Sequence, residues 1–178
     1  EGSLLILHAG VSKTSSEDAT YPFEVNRNFY YLTGINQENS VLFMVKGVGE
    51  RKEFLFIDEY NPVKEKWTGK RLSIEEASVI SEMNNVLTNN VLESKIDLAI
   101  QANSAYFGHI TNVYMDSSIE MKVSETMFVH EYLAHLKMLY PHINYLDIRP
   151  VITLLRMKKS PYEVSKIKEA ININILPI

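Results

Sequence analysis

Two apolar runs separated by a glycine-containing turn set the tightest limit on the fold of this chain. Residues 40–46 read Ser-Val-Leu-Phe-Met-Val-Lys, the turn is Gly47-Val48-Gly49-Glu50, and residues 53–58 return as a second β-rich run. Short apolar runs bounded by turn residues are typical of buried strands, and the close spacing predicts a β-hairpin over 40–58. The fold is therefore expected to be built on a sheet.

Strand-like and helix-like segments alternate along the rest of the chain. Extended segments are predicted at 3–9, 97–101, 111–115 and 144–148, and residues 28–33 are aromatic and β-rich up to Gly34. Residues 12–20 are polar and predict a loop, whereas residues 84–95 show no clear pattern.

Helices are predicted from caps and from apolar spacing. Ser73 and Glu76 form a capping box for a helix through about Glu82, and Ser160 caps a helix over 161–171. Further helices are predicted after Pro62, over 124–139 with Ser124 as cap, and over 150–157. This interleaving predicts an α/β fold with a mixed β-sheet flanked by helices.

Charge and cysteine content exclude several classes of protein. The net charge is −4 and no block of lysine and arginine occurs, so neither a nucleic acid nor a membrane is expected as a partner. The chain contains no cysteine, which excludes disulfides, thiolate metal sites and a cysteine nucleophile. A cysteine-free chain fits a reducing compartment, and we expect a cytoplasmic location.

The residues with catalytic potential do not form a known motif. His130 and His135 lie in a predicted helix but are five residues apart, so their side chains are rotated by roughly 140° and cannot bind one metal. Acidic residues at predicted strand ends are interpreted as turn residues, namely Asp58, Glu59, Asp97 and Asp116. No catalytic residue and no metal ligand is therefore predicted in this chain.

Trp67 is the residue of greatest interest. It is the only tryptophan and lies in the polar stretch Glu65-Lys66-Trp67-Thr68-Gly69-Lys70-Arg71. An aromatic side chain in a polar loop is a candidate interface anchor. A lid over the edge of the core is the alternative interpretation.

Three segments, in order, carry a family resemblance. The first is Tyr21–Gly34, against a family pattern of Tyr-Pro-Phe-Arg-Gln-Asn-x-x-Phe-Tyr-Tyr-Leu-Thr-Gly. The second is Glu65–Leu72, against Glu-x-Trp-x-Gly-x-Arg-Leu, and the third is Asp147–Val164, against a linker ending Leu-Arg-x-x-Lys-Ser-Pro-x-Glu-Ile. Together they resemble the amino-terminal domain of aminopeptidase P, in the creatinase/prolidase family. Glu24 and Val25 depart from the usual Arg-Gln.

The resemblance implies a fold for this chain and separate functions for two domains of the longer protein. It implies a ribonuclease H-like amino-terminal domain over 1–155 and a linker helix over 156–178, with the chain stopping at Ile178 before a catalytic domain. That absent domain would bind two divalent metals, manganese or cobalt, and would hydrolyse the peptide bond before proline. The amino-terminal domain would be non-catalytic, would contact its own catalytic domain, and would support a dimer or tetramer and access to the active site.

The resemblance also implies a role for Trp67. The matching tryptophan in tetrameric relatives reaches toward a neighbouring subunit's substrate pocket, so Trp67 would bind a proline-containing peptide in trans. Two alternatives stay open: a pseudo-peptidase module that binds proteins without metal, and the amino-terminal domain of a prolidase.

Overall fold

The computed structural model describes residues 2–16, 19–47, 49, 51–59, 61, 65–66, 69–101, 106–116 and 123–175. The chain divides into two compact units at Ile148 and Arg149. Among the described residues, no helix is long and apolar enough to cross a membrane.

The described residues of the first unit form strands that alternate with helices. The strands are β1 Ser3–His8, β2 Thr14–Ser16, β3 Ala19–Thr20, β4 Val41–Lys46, β5 Lys52–Ile57, β6 Val86–Thr88, β7 Asn112–Met115 and β8 Asn144–Asp147. The helices are α1 Arg27–Thr33, α2 Ile74–Ser81, α3 Leu92–Ile100 and α4 Val123–Leu139, and a 3₁₀ turn covers Asn89–Val91.

Six of the strands form one mixed sheet in the order β6-β5-β4-β1-β7-β8. β4 is antiparallel to both of its neighbours, and the remaining neighbouring strands are parallel. The predicted hairpin over 40–58 is confirmed as β4 and β5, and the predicted mixed sheet flanked by helices is confirmed.

The main core lies on one face of this sheet, because strand side chains alternate between faces. Leu4, Phe43 and Phe56 on this face cluster with Ile96 of α3 and Leu136 of α4. Phe43 is at the centre of the cluster: its ring makes edge-to-face contacts with Phe54, Phe56 and Phe107 at centroid distances of 5.8, 6.0 and 6.1 Å. Such pairs add to the free energy of burying the rings.

Residues 28–33 form helix α1, although their composition is aromatic and β-rich. The side chain of Asn26 accepts hydrogen bonds from the backbone N–H groups of Asn28 and Phe29, which satisfies the amino end of the helix. Gly34 ends it in the left-handed conformation at φ 69°. The two caps therefore outweigh the β propensity of the aromatic residues.

The prediction of a strand at 97–101 is wrong, because residues 97–100 belong to α3 and Gln101 is its C-cap. Its buried residues Leu92, Ile96, Ala99 and Ile100 follow a helical period that begins before the predicted strand. The predicted loop at 12–20 contains the short antiparallel pair β2 and β3. The remaining predicted strands are confirmed, and so is the capping box at Ser73 and Glu76.

The second unit contains α5 Arg149–Met157 and α6 Pro161–Ile175. The predicted cap of α6 is confirmed, because Ser160 N donates to Glu163 Oε2 at 2.7 Å and Glu163 N donates to Ser160 Oγ at 3.2 Å. The predicted domain boundary at 155 falls inside α5, and the assignment of a linker helix stays a prediction. The first turn of the helix predicted after Pro62 lies outside the described residues, as do the side chains at the predicted Ser124 cap.

We expect Phe43→Ala to lower the free energy of unfolding by about 3–5 kcal/mol, because it removes the ring at the centre of the aromatic cluster and leaves a cavity. Chemical denaturation of the purified chain measures this loss. Val79→Ala is the control, because Val79 is 79% exposed and its truncation should change stability by less than about 0.5 kcal/mol. A loss of less than about 1 kcal/mol for the Phe43 variant would contradict this account of the core.

Candidate functional site

Polar residues collect at one edge of the six-stranded sheet. β1, β5, β6 and β7 run in the same direction, so their carboxyl ends lie together, and Asp58, Asn89 and Asp116 follow three of these ends. β4 runs the opposite way, so the residues just before it, Glu38 to Ser40, meet the same edge. Ligands of open α/β sheets commonly bind at this edge, which makes it the candidate site.

Arg71 links two carboxylates at this edge. Its Nη1 donates to Asp58 Oδ2 at 2.7 Å and its Nη2 donates to Glu38 Oε1 at 2.5 Å, while the side chain is 11% exposed. Asp58 also accepts hydrogen bonds from the side-chain amides of Asn39 and Asn89 at 3.1 and 3.0 Å. A guanidinium between two carboxylates can hold separate chain segments in one geometry, because its donors are fixed in a planar fork.

Glu38 is ionised in this arrangement. Its Oε2 accepts hydrogen bonds from the backbone N–H and the hydroxyl of Ser12. Partial burial acts to raise the pKa of Glu38, but the Ser12 hydrogen bonds and the Arg71 guanidinium outweigh burial and lower the pKa. The carboxylate therefore stays negatively charged opposite Arg71 at neutral pH.

The same arginine anchors the loop that contains Trp67. Arg71 N donates to the carboxylate of Glu65 at 3.0 Å, and Gly69 N donates to the backbone carbonyl of Glu65 at 3.0 Å. Leu72 N donates to Oε1 of Gln37 at 2.8 Å, which ties the far end of the loop to the segment before β4. The two ends of the loop are thus joined to each other, and the end at Arg71 and Leu72 is joined to the sheet edge. Trp67 lies outside the described residues, and its proposed contact with substrate stays a prediction.

The backbone conformation at position 69 requires a glycine. Its φ of +83° lies in the left-handed region, which side chains with a Cβ rarely adopt, and its position is open to solvent. The glycine is therefore needed for the backbone turn that brings the Arg71 N–H back to Glu65.

A second group of polar contacts involves Asp116 at the end of β7. Its Oδ2 accepts hydrogen bonds from the side-chain amides of Asn26 and Asn28, each at 3.1 Å. Asn26 also caps α1, so Asp116 connects the cap of that helix to the sheet. Of the two residues that depart from the family pattern beside this cap, Glu24 is exposed and Val25 is half-buried.

His8 ends β1 beside these groups and contacts the ring of Tyr132 on α4. The two ring centroids are 5.0 Å apart and the planes meet at 78°. Burial lowers the pKa of His8 to about 4, so its imidazole is neutral at pH 7. The Tyr132 hydroxyl donates to Glu93 at 3.1 Å, and burial together with the negative charge of Glu93 raises the pKa of this phenol.

The described residues do not fit a metal pair. No group of three or more histidine, aspartate or glutamate side chains converges in the part of the chain that the structure describes. His130 and His135 both lie on α4, where His130 is half-buried and His135 is exposed.

Sequence reasoning missed most of this arrangement. Asp58 and Asp116 were interpreted as turn residues, whereas both accept hydrogen bonds from distant segments. A usable signal existed for Arg71, since it lies four residues after Trp67 in the second family segment. Neither Glu38 nor His8 had such a signal, because their partners are distant in sequence.

Comparisons with known proteins identify a family for the chain. The chain matches the family described as aminopeptidase P, N-terminal domain, over residues 1–107. It is 26% identical over 174 residues to the Xaa-Pro aminopeptidase of Haemophilus influenzae, covering 98% of this chain and 37% of that protein.

Solved structures match across both units of the chain. A Bacillus anthracis protein assigned as an aminopeptidase P matches with a TM-score of 0.82 and 34% identity, over 95% of this chain and 39% of that one. Aminopeptidase P from Escherichia coli has a TM-score of 0.68 and 24% identity, over 92% of this chain and 37% of that one, and this likeness shows the fold alone.

The fold and site define a mixed α/β domain with an arginine-anchored loop at the carboxyl edge of its sheet. The chain belongs to the aminopeptidase P N-terminal domain family. It spans less than two fifths of the length of these relatives, at 37% and 39%.

Replacing Arg71 by lysine tests the anchor. We expect Arg71→Lys to lower the free energy of unfolding by about 1–3 kcal/mol, because an ammonium group cannot replace the planar fork between two carboxylates. Lys70→Ala is the control, since the side chain of Lys70 is 75% exposed in its ion pair with Glu76 and its loss should leave stability nearly unchanged. Denaturant unfolding measures the free energy of unfolding of both variants. Equal losses in the two variants would contradict the role of Arg71 as the anchor of the loop.

The burial of His8 predicts that the stability of the folded chain depends on pH. Its pKa falls from 6.5 to about 4 on folding, so the unfolded chain binds the proton more tightly and stability decreases as the pH falls from 6.5 toward 4. The loss should reach about 3 kcal/mol. Denaturation of His8→Phe between pH 4 and 7 should lack this component, whereas His142→Gln, at an exposed histidine, should retain it. An unchanged pH profile for the His8 variant would contradict the assignment.

Proposed function

We propose that this chain is the non-catalytic amino-terminal domain of an Xaa-Pro metallo-aminopeptidase that hydrolyses the peptide bond before proline. The observation that carries the proposal is the segment from Glu65 to Arg71, whose end at Arg71 and Leu72 is held at the carboxyl edge of the sheet and whose Glu65 carboxylate accepts a hydrogen bond from Arg71 N. A loop anchored by two ion pairs at its end suits a residue that must be presented to a partner surface, because the ordering cost of the loop is met before binding.

The names of the relatives support the substrate class. The relative from Haemophilus influenzae is called Xaa-Pro aminopeptidase, and more than three fifths of its length lies outside the match to this chain, since the chain covers 37% of it. We place the catalytic domain in that remaining part, with two divalent metals, manganese or cobalt. When bound there, such a pair would polarise the scissile carbonyl and activate a water molecule. A cytoplasmic location is part of the proposal.

The proposed role of this domain is to assemble subunits and to complete the substrate pocket. The subunits would form a dimer or tetramer, and Trp67 of one subunit would reach the active site of the next. The segment that contains Trp67 follows β5 in sequence, and Arg71 near its end pairs with the Asp58 carboxylate.

The second candidate is a pseudo-peptidase module that binds proteins without metal, and a prolidase is the third. The family membership of this chain is compatible with all three. The discriminating feature is the set of five ligands expected in the longer protein, namely two aspartates, one histidine and two glutamates. Only a protein that retains this set is expected to be a peptidase.

Subunit mixing tests the role of Trp67 in the longer protein. Trp67→Ala subunits and subunits with one metal ligand removed should each be inactive toward an Xaa-Pro peptide, because each lacks one part of the shared site. Co-assembled, they should recover activity at the sites that combine intact metals with a neighbouring Trp67. Release of the first residue, followed by mass spectrometry, measures the recovery.

Two controls accompany this experiment. The 178-residue chain with added manganese should give no turnover above the metal alone. Lys66→Ala, next to the tryptophan, should leave activity nearly unchanged, because a side chain that only flanks the contact adds little to binding. A mixture that stays inactive although the subunits co-assemble would contradict action in trans. Turnover by the short chain that is lost on chelation would overturn the non-catalytic assignment.

A further inference from the structure

Strand β8 is the last strand of the six-stranded sheet, so one of its edges faces no other described strand. Its other edge pairs with β7, and Asn144 N donates to the carbonyl of Thr111 at 3.0 Å. Successive residues of a strand turn their backbone groups to opposite edges. Because Asn144 faces β7, Tyr145 directs its backbone N–H and carbonyl away from β7, and the backbone of Asp147 points the same way.

The outer edge of β8 is open, because it borders a cavity of about 550 Å³. Four consecutive residues, Ile143 to Leu146, line this cavity together with Asn112 of β7, Lys137 of α4 and Pro141. Leu146 is 41% exposed at this edge. An exposed edge strand presents backbone donors and acceptors to another chain, and the common occupant of such an edge is a further strand.

The charge of the lining residues indicates which strand fits. Lys137 lines the cavity, and its ammonium nitrogen lies 6.0 Å from the centroid of the Tyr145 ring. The described lining residues include no aspartate or glutamate. A strand that places a carboxylate beside Tyr145 would therefore pair with Lys137. Strand β8 itself carries such a carboxylate at Asp147, two residues after Tyr145 and on the same face of the sheet.

We propose that β8 pairs antiparallel with β8 of a second copy of this chain, so that the two six-stranded sheets join across a two-fold axis. In this register Leu146 lies opposite the partner's Leu146, and Tyr145 lies opposite the partner's Asp147. Opposite residues of antiparallel strands point to the same face, so the partner's carboxylate lies next to Lys137. The two-fold axis repeats this contact, because such an interface uses the same surface on both copies.

The charges select this register among the symmetric ones. A register centred on Tyr145 would bring the two copies of Lys137 toward each other. A register centred on Asp147 would place two carboxylates directly opposite each other. Like charges at opposite positions destabilise an antiparallel pair, whereas unlike charges stabilise it. The register centred on Leu146 is the one that brings each lysine to a carboxylate.

The pairing goes beyond the proposed function, which includes a dimer or tetramer but assigns no surface to it. It uses residues 137–147 and needs neither Trp67 nor a catalytic domain. Its test measures association of the chain with itself, so a failure of this proposal would leave the proposed peptide hydrolysis untouched.

Reversing the two charges separately tests the pairing on the 178-residue chain. Sedimentation equilibrium up to about 1 mM should show a reversible equilibrium between monomer and dimer. Lys137→Glu and Asp147→Lys should each weaken dimerisation by at least about tenfold, because each variant brings like charges together at both symmetric positions. A one-to-one mixture of these two variants should regain dimerisation, since both positions of the mixed dimer again combine unlike charges.

A control variant and a second readout complete the test. Lys46→Glu makes the same change of charge at an exposed residue of the interior strand β4 and should leave dimerisation unchanged. Hydrogen exchange of the Tyr145 amide should slow by at least about tenfold as the chain dimerises, because its N–H becomes bonded to the partner. The amide of Leu146 faces β7 in both states and should exchange at an unchanged rate.

Four results would each overturn the proposal. These are a chain that stays monomeric at about 1 mM, a dimer whose affinity Lys137→Glu leaves unchanged, a mixture of the two variants that stays monomeric, or exchange of the Tyr145 amide that is independent of concentration. Thermal unfolding confirms that each variant is folded under the conditions of the measurement.

Discussion

The reversed direction of β4 is the constraint on which the rest of the described structure depends. Because β4 runs antiparallel between β1 and β5, its entry segment reaches the edge where its neighbours end. Glu38 and Ser40 thereby meet His8 and Asp58 at one place. A parallel β4 would put its entry at the opposite edge, and Arg71 would lose one of its two carboxylates.

Arg71 links the chain segments that meet at this edge through its ion pairs with Glu38 and Asp58. A buried charge is costly unless it is paired, and Arg71 finds two carboxylates whose other oxygens or lone pairs are used by Ser12, Asn39 and Asn89. The network joins the segment before β4, the end of β5, the loop of Trp67 and the 3₁₀ turn. A cavity of about 340 Å³ adjoins this network, and Asn39, Asp58 and Asn89 belong both to the network and to the cavity lining.

Local signals predicted the elements whose pattern and caps agree. The hairpin over β4 and β5 and the capped helices at Ser73 and Ser160 follow from residues within a few positions of each other. Prediction failed where local signals conflicted: α1 has strand-like aromatic residues between two helix caps, and the second half of α3 resembles a strand when its first turn is ignored. In both cases, capping or burial on one helix face outweighed composition.

The sequence by itself determined the family, the α/β class and the segment that contains Trp67, because these depend on local patterns and on motifs in order. The tertiary structure decided the site: which carboxylates face Arg71, why Asp58 and Asp116 are more than turn residues, and where His8 is buried. The partners of Arg71 are 33 and 13 residues away, and Asp116 is 90 residues from Asn26. No local pattern encodes such distances, because they are set by strand order and direction, which the packing of the whole sheet selects.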